Sequence, residues 1–321
     1  MPLLEVDELT VRFDTPDGVV TAVDRLSFEL EPGQMLGIVG ESGSGKTQTA
    51  LSVMGLLAGN GRVTGNAFFG ERDLLTLDRA ALDDVRGHEI AIIFQDPMTS
   101  LNPYLSIAKQ MTEVLVRHQD LSHGEARRVA IRMLDRVQIP DAASRIDSFP
   151  HEFSGGMRQR VMIAMALLCG PRLLIADEPT TALDVTVQDQ ILRLLDEIRA
   201  ELDMGVILIT HDLGVVAGLC DRVLVMYGGR VMEYGTLDDI FYEPRHPYTL
   251  GLLGSVPNPE EAGHGRLPTI PGNPPTMGRP ARGCPFAARC EHRLPQCDDD
   301  RPTLRPLDDI RLLACHLDES P

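Results

Sequence analysis

The sequence lacks any long hydrophobic run. Its longest uninterrupted apolar stretch, Val161 to Cys169, has nine residues, whereas a helix needs about 20 to cross a bilayer. The first residues, Met1 to Glu5, show no basic segment followed by an apolar stretch, which argues against a secretory signal peptide. We therefore expect a cytosolic chain without a membrane segment of its own.

Basic side chains are also scarce. The chain has 30 Lys+Arg against 47 Asp+Glu, which gives a formal net charge of −17. A protein that binds nucleic acid through a broad basic face needs a surplus of Lys and Arg, so this composition argues against that class. It leaves room for a small anionic ligand, because a local group of N–H donors and one lysine can hold such a ligand.

Cysteine and proline are concentrated near one end of the chain. Cys169 and Cys220 lie in apolar segments typical of buried structural cysteines. The other four cysteines follow residue 283, and proline becomes frequent beyond residue 240. With 321 residues the chain can form about two domains. We predict one domain over 1–240 and a proline-rich, cysteine-bearing extension over 241–321.

Strand-like and helix-like patterns alternate in the predicted first domain. The strand-like runs are Met35–Val39, Ile90–Phe94, Leu173–Ala176, Val206–Ile209 and Val223–Met226. Helical patterns cover Thr47–Leu57, Ile107–His118, Gly124–Val137, Met157–Leu168 and Val187–Leu202. Such alternation predicts an α/β fold, a mostly parallel sheet covered by helices. Three helical patterns follow one another without a strand, which predicts a helical insertion over about 100–168.

The segment Gly40 to Thr47 matches the pattern G-x-x-x-x-G-K-[ST] without a mismatch. A predicted strand leads into it and a predicted helix follows it. Its glycines allow successive backbone N–H groups to point at phosphate oxygens, and the helix adds its positive end. Lys46 supplies a charge for the β- and γ-phosphates, and the Thr47 hydroxyl is a ligand for Mg²⁺. The predicted nucleotide-binding residues of this loop are Gly40, Ser42, Gly43, Ser44, Gly45, Lys46 and Thr47.

Two carboxylates end a predicted buried strand. Asp177 follows the apolar run Leu173–Ala176, and Glu178 comes directly after it. A nucleotide hydrolase with this kind of phosphate loop needs a carboxylate in the Mg²⁺ shell, a role that Asp177 fits. Glu178 is placed to polarise an attacking water molecule.

A second glycine pair opens a predicted helix at Ser154, Gly155 and Gly156. Such an element presents further N–H donors, which suits a phosphate group bound by a neighbouring subunit. With this motif the chain resembles the ATP-binding subunits of ABC transporters, whose signature motif reads Ser-Gly-Gly before a basic helix. Met157 stands where the commonest form of the motif has glutamine.

The resemblance covers about residues 3–235 and implies further site residues. Gln95 is similar to the family's Q-loop glutamine, Ala182-Leu183-Asp184 to its D-loop, and His211 to its switch histidine. Phe13 corresponds to the aromatic residue that stacks on adenine. The resemblance assigns catalysis to Lys46, Gln95, Glu178 and His211, ATP contacts also to Phe13, Ser154, Gly155, Gly156 and Asp184, and Mg²⁺ to Thr47, Gln95 and Asp177. The fold it implies adds an antiparallel β portion.

The extension narrows the resemblance. The segment His246-Pro247-Tyr248-Thr249 and the proline-rich Ile270–Pro275 are similar to the extension of oligopeptide and dipeptide importer ATPases. That group implies a subunit that powers peptide import, with nickel, glutathione or another small solute as alternative cargo. The implied partners are two permeases, a sister ATPase, preferably a different chain, and an extracytoplasmic binding protein, with the ATPase on the cytoplasmic face of the membrane. A soluble ABC ATPase outside transport is a distant alternative, because the chain is acidic and has one ATPase unit.

The four cysteines of the extension are Cys284, Cys290, Cys297 and Cys315. Their spacing contains no C-x-x-C pair and is compatible with zinc, an iron–sulfur cluster or two disulfides. Disulfides fit a cytosolic chain poorly. The arrangement Cys-Pro-Phe-x-x-Arg-Cys resembles the importer ATPases, in which four such cysteines are associated with an iron–sulfur cluster. The resemblance therefore favours a structural [4Fe–4S] cluster, with Zn²⁺ as the alternative.

Overall fold

The computed structural model describes residues 1–95, 100–181, 183–256, 269–275 and 282–317. The chain divides into two compact units. The first comprises Met1–Leu30, Met35–Thr76 and Leu208–Pro321, and the second comprises Glu31–Gln34 and Leu77–Ile207. The domain boundary near residue 240 stays a prediction from composition.

A four-stranded antiparallel sheet forms part of the first unit. Strand β1, Leu4–Thr15, pairs with β2, Gly18–Leu30, and with β4, Gly61–Phe69, which in turn pairs with β5, Arg72–Asp73. Buried residues such as Leu4 and Val6 alternate with more exposed ones, the pattern of a sheet with one covered face. This sheet is the antiparallel portion that the family resemblance implies.

The first unit also contains a mixed ladder. Strand β3, Met35–Val39, runs parallel to β9, Arg222–Tyr227, and β9 pairs antiparallel with β10, Arg230–Thr236. All five residues of β3 are buried, as expected of a strand covered on both faces. Two short strands of the extension, β11 at Arg305–Pro306 and β12 at Leu312–Leu313, continue the ladder from β10.

Helix α1 of the first unit covers Lys46–Val53 and is shorter than the predicted Thr47–Leu57. Met54 is its C-terminal cap, and Gly55 follows with a positive φ of 61°. Glycine adopts this left-handed conformation without a side-chain clash and commonly ends a helix. The other α-helices in the described part of this unit are α8 at Leu213–Ala217, α9 at Leu237–Tyr242 and α10 at Pro247–Gly254.

The second unit contains the parallel pair β6, Ile90–Ile93, and β7, Leu173–Asp177. Its α-helices within the described residues are α2 at Arg79–Val85, α3 at Ile107–Gln119, α4 at His123–Arg136, α5 at Ala142–Arg145, α6 at Gly155–Leu167 and α7 at Val185–Leu202. The boundary between the units falls within β8, Gly205–Thr210. The five predicted strands are therefore present, and the α/β class is confirmed. Among the described residues, no helix is long and apolar enough to cross a membrane.

A buried ion pair fixes the extension to β10. Glu233, which has no exposed surface, accepts a hydrogen bond of 2.8 Å from Arg311. Its two carboxylate oxygens also accept from the backbone N–H groups of Arg245 and His246, at 2.8 and 3.0 Å. A buried carboxylate is tolerated only when its lone pairs are satisfied in this way. These contacts hold Arg245, His246 and Arg311 against β10.

Candidate functional site

The loop Gly40–Gly45 packs tightly against its own unit. Gly40 and Gly45 have positive φ angles of 151° and 103°. A Cβ atom at Gly40 would lie 2.1 Å from the Met226 carbonyl oxygen, and one at Gly45 would lie 2.5 Å from that of Ala22. Only glycine fits both positions, so the loop curls and leads directly into α1. A helix N-terminus after a curled glycine loop is suited to binding phosphate.

Lys46 lies inside this loop. Its side chain is buried, and its ammonium group donates to the carbonyl oxygens of Gly40 at 2.7 Å and Glu41 at 3.0 Å. The Ser44 hydroxyl, also buried, lies 3.5 Å from the same nitrogen. Thr47 follows at the start of α1 and is half-buried. Gly40, Glu41 and Ser44 of the loop are therefore gathered around one cationic group.

The carboxylate pair occupies the end of β7, as the sequence predicts. Asp177 is its last residue and is 3% exposed. Glu178 follows with a positive φ of 48°, so the extended backbone of the strand ends there. One oxygen of Glu178 accepts hydrogen bonds from the Gln95 amide and the Thr181 hydroxyl, both at 2.8 Å. The structure thus brings Gln95 and Glu178 together, a contact that the sequence alone did not reveal.

The second glycine motif begins α6. Ser154 is the N-terminal cap, and its hydroxyl accepts a hydrogen bond of 3.3 Å from the Met157 N–H. Gly155 is exposed and Gly156 half-buried in the first turn. Gln159, buried on the same helix, donates its amide to the Pro179 carbonyl. This hydrogen bond ties α6 to the segment that carries Glu178.

Of the remaining predicted residues, Asp184 and His211 lie at the ends of regular elements and Phe13 lies within a strand. Asp184 caps α7, where its carboxylate accepts a hydrogen bond of 3.0 Å from the Val187 N–H. Of the predicted D-loop, Leu183 and Asp184 are described and Ala182 lies outside the described residues. His211 follows β8 and is exposed, and Phe13 on β1 is half-buried opposite Val20. His211 and Phe13 belong to the same unit as the phosphate loop, whereas Asp184 belongs to the unit that holds Glu178.

The four cysteines of the extension line one cavity together with His246, His292 and His316. Burial raises the pKa of Cys284 to about 11, and the three other thiols contribute by repelling its charged form. Burial raises the pKa values of Cys290 and Cys315 as well. All six cysteines are in the described part of the chain, and none forms a disulfide there. Among the described residues, no three His, Cys, Asp or Glu side chains are placed to hold a single metal ion. This finding lends no support to the predicted metal site.

A contact between the phosphate loop and the extension was missed by sequence reasoning. Glu41, at the second position of the loop, contacts Arg289 and Tyr248 of the extension. Two signals were available. One was a carboxylate inside a loop that binds anions, and the other was an arginine inside the cysteine motif. Neither signal predicts the contact, because 248 positions separate Glu41 from Arg289.

The family model described as "ABC transporter" matches residues 23–181, and the one described as "Oligopeptide/dipeptide transporter, C-terminal region" matches residues 232–297. The chain is 58% identical to the oligopeptide transport ATP-binding protein OppD of Salmonella typhimurium over 313 residues, 98% of this chain and 93% of that protein. The chain belongs to the oligopeptide and dipeptide transport ATP-binding proteins. This transport ATP-binding protein is also 51% identical over 319 residues to the dipeptide transport ATP-binding protein DppD of Bacillus subtilis, covering 99% of the chain and 95% of DppD.

A solved structure supports the fold of this transport ATP-binding protein. The ATP-binding cassette MJ0796, in a dimeric post-hydrolysis state bound to ADP and Pi, is 26% identical and superposes with a TM-score of 0.66. The match covers 73% of the present chain and 98% of MJ0796. The transport ATP-binding protein is accordingly an ABC-type ATPase that binds ATP with Mg²⁺ and converts ATP and water to ADP and phosphate.

Proposed function

We propose that this ATPase powers the import of short peptides. The observation that carries the proposal is the 58% identity to OppD of Salmonella typhimurium, which extends over 98% of the chain. The match of residues 232–297 to the C-terminal region of oligopeptide and dipeptide transporters supports the same cargo class. Because the similarity includes the extension, it exceeds what a shared ATPase core alone would give.

The proposed assembly contains two membrane permeases and two ATPase subunits on the cytoplasmic face. An extracytoplasmic binding protein would deliver the solute. We favour a sister chain as the second ATPase. Each ATP would lie between the loop Gly40–Thr47 of one subunit and helix α6 of its partner. The N-terminus of α6 presents N–H groups at Ser154–Gly156 that can donate hydrogen bonds to phosphate oxygens.

The proposed roles follow from the chemistry of the side chains. Lys46 and the loop N–H groups would bind the β- and γ-phosphates. Mg²⁺ would be held by the oxygen donors of Thr47, Asp177 and Gln95, which are the hard ligands it prefers, and would neutralise charge on the phosphates.

Hydrolysis would depend on the hydrogen-bonded pair of Glu178 and Gln95. The Glu178 carboxylate would orient and polarise the attacking water, and Gln95 holds that carboxylate in place. His211 would contact the γ-phosphate, Phe13 would stack on adenine, and Asp184 would lie at the dimer interface.

Cargo-stimulated hydrolysis tests the proposed function. The chain is reconstituted in liposomes with its permeases, the sister ATPase and the binding protein, and ATP hydrolysis is measured on addition of a tripeptide, a dipeptide, nickel or glutathione. We expect the peptides to stimulate hydrolysis and to accumulate on the side of the membrane that carries the ATPase subunits. Stimulation by nickel or glutathione alone would replace the peptide assignment with that solute.

We further propose a structural [4Fe–4S] cluster at Cys284, Cys290, Cys297 and Cys315. The four thiols line one cavity and are not engaged in disulfides, and four cysteines are the usual ligand set of such a cluster. In a cubane each thiolate binds a different iron, so the four sulfur atoms need not converge on one ion. The cluster would cross-link segments of the extension that have little regular structure.

Anaerobic purification tests the cluster. We expect brown protein with about four irons per chain, and loss of colour and iron in Cys290→Ala. The matched control is Cys169→Ala, which removes a buried cysteine of the other unit and should leave the iron content unchanged. Colourless protein that carries one zinc per chain would contradict the proposal.

A further inference from the structure

The extension contacts the phosphate loop, Gly40–Thr47, through the side chain of Glu41. The two carboxylate oxygens of Glu41 accept hydrogen bonds of 2.6 and 3.0 Å from the two terminal nitrogens of Arg289. The arginine side chain is 5% exposed and that of the glutamate 27%. A bidentate pair in this largely buried setting is among the stronger and more directional interactions that a protein can form.

The backbone of Glu41 is held as well. Its N–H group donates to the hydroxyl of Tyr248 at 2.9 Å, and Tyr248 is completely buried. Its carbonyl oxygen accepts from Lys46 at 3.0 Å. Three separate contacts therefore fix this loop residue, and Arg289 and Tyr248 of the extension provide two of them.

Arg289 itself is rigidly placed. Besides pairing with Glu41, it donates to the carbonyl oxygens of Pro271 at 2.8 Å and Ile270 at 3.2 Å and to the Tyr227 hydroxyl at 3.1 Å. Its guanidinium group also lies over the Phe286 ring, 6.0 Å from the centroid. An arginine with this many partners cannot simply rotate away to solvent, so its charge stays beside the loop.

The contact with Arg289 neutralises a negative charge inside the phosphate loop. Glu41 places a negative charge between Gly40 and Ser42, in a segment whose N–H groups serve to bind phosphate. An unneutralised carboxylate there would repel ATP, and a loop that shifted would misalign its donors. Arg289 neutralises the carboxylate, and Tyr248 fixes the adjoining peptide unit.

We propose that Arg289 and Tyr248 are positioning residues for ATP, so that the C-terminal extension is a working part of the nucleotide site. The alternative is that the same contacts merely attach the extension to the rest of the first unit. The proposal rests on the ATPase activity and is independent of the cargo and of the iron–sulfur cluster.

Equilibrium ATP binding and steady-state hydrolysis of the full chain test the proposal. Arg289→Met should weaken ATP binding about tenfold or more and raise KM for ATP, with a much smaller change in kcat at saturating ATP. The double variant Glu41→Gln with Arg289→Met should recover most of the lost affinity, because the repelling carboxylate is gone. Simple attachment predicts no such recovery. The matched control is Arg293→Met, which removes an exposed arginine of the same segment that pairs with Asp298 and should leave ATP affinity unchanged.

Tyr248→Phe provides a second test that changes a single buried hydroxyl. It removes the acceptor of the Glu41 N–H and should weaken ATP binding about threefold or more, in protein that circular dichroism shows to be folded. Unchanged affinity in Arg289→Met, or in Tyr248→Phe if the arginine variant does not fold, would overturn the proposal. So would a double variant that binds ATP no better than Arg289→Met. A failed cargo assignment would leave these results untouched, since they are measured without permeases.

Discussion

Replacing Glu178 with glutamine is expected to abolish ATP turnover while ATP still binds. The substitution removes the negative charge that would polarise the attacking water, and a general base contributes about 10²–10⁴-fold to a rate. Its amide oxygen can still accept the hydrogen bonds that Gln95 and Thr181 donate to the native carboxylate. The geometry of the segment after β7 should therefore survive, and kcat should fall by about that factor.

Steady-state phosphate release and equilibrium ATP binding measure the two expectations separately. The matched control is Glu197→Gln, the same chemical change at an exposed position of α7. It should hydrolyse ATP at the unmodified rate. Turnover near that rate in Glu178→Gln would refute the role of Glu178, and loss of ATP binding would assign Glu178 to binding instead.

Lys46→Ala is expected to weaken the binding of ATP strongly. The ammonium group lies within the loop and would interact with the phosphates as a buried point charge. The loss of such a charge-assisted contact, together with the hydrogen bonds to Gly40 and Glu41, should weaken binding about 100-fold. Hydrolysis should then be undetectable at ATP concentrations that saturate the unmodified protein.

The chain contains only one other lysine, Lys109, which is exposed on α3. Lys109→Ala removes the same charge from the surface and should bind ATP normally, which makes it the control for a general effect of charge. Binding is measured by equilibrium dialysis with labelled ATP, and circular dichroism checks that Lys46→Ala is folded. ATP affinity in folded Lys46→Ala equal to that of Lys109→Ala would show that the lysine does not contact the phosphates.

The sequence predicted the parts of the fold that come from continuous apolar runs. Strands β3 and β7 are buried on both faces, so β3 and the first four residues of β7, Leu173–Ala176, form uninterrupted runs without charged side chains that can each be recognised on their own. Strands β1, β2 and β4 were not located individually. In β1 the polar residues Arg12 and Asp14 lie among the apolar ones, and its pairing with β4 joins segments distant in the chain. The antiparallel portion was therefore expected only from the family resemblance.

The candidate site was predictable where a motif is contiguous. The loop Gly40–Thr47 has a fixed spacing, since one curl of the backbone forms the whole phosphate cradle. The hydrogen bond between Gln95 and Glu178 could not be predicted in the same way, because it depends on how β6 and β7 align in the sheet. The contact of Arg289 with Glu41 depends on the path of the entire extension.

The contact between Glu41 and Arg289 also acts in the opposite direction. Linkage between two sites is reciprocal. If contacts of the extension raise the affinity for ATP, bound ATP must stabilise the same contacts by an equal free energy, which makes local opening of the extension less frequent. Arg289 directly precedes Cys290 in the chain. If Arg289 and Tyr248 position the loop as proposed, the cysteines are therefore shielded best from solvent and oxidants while nucleotide is bound. That protection is lowest in each nucleotide-free interval of the transport cycle.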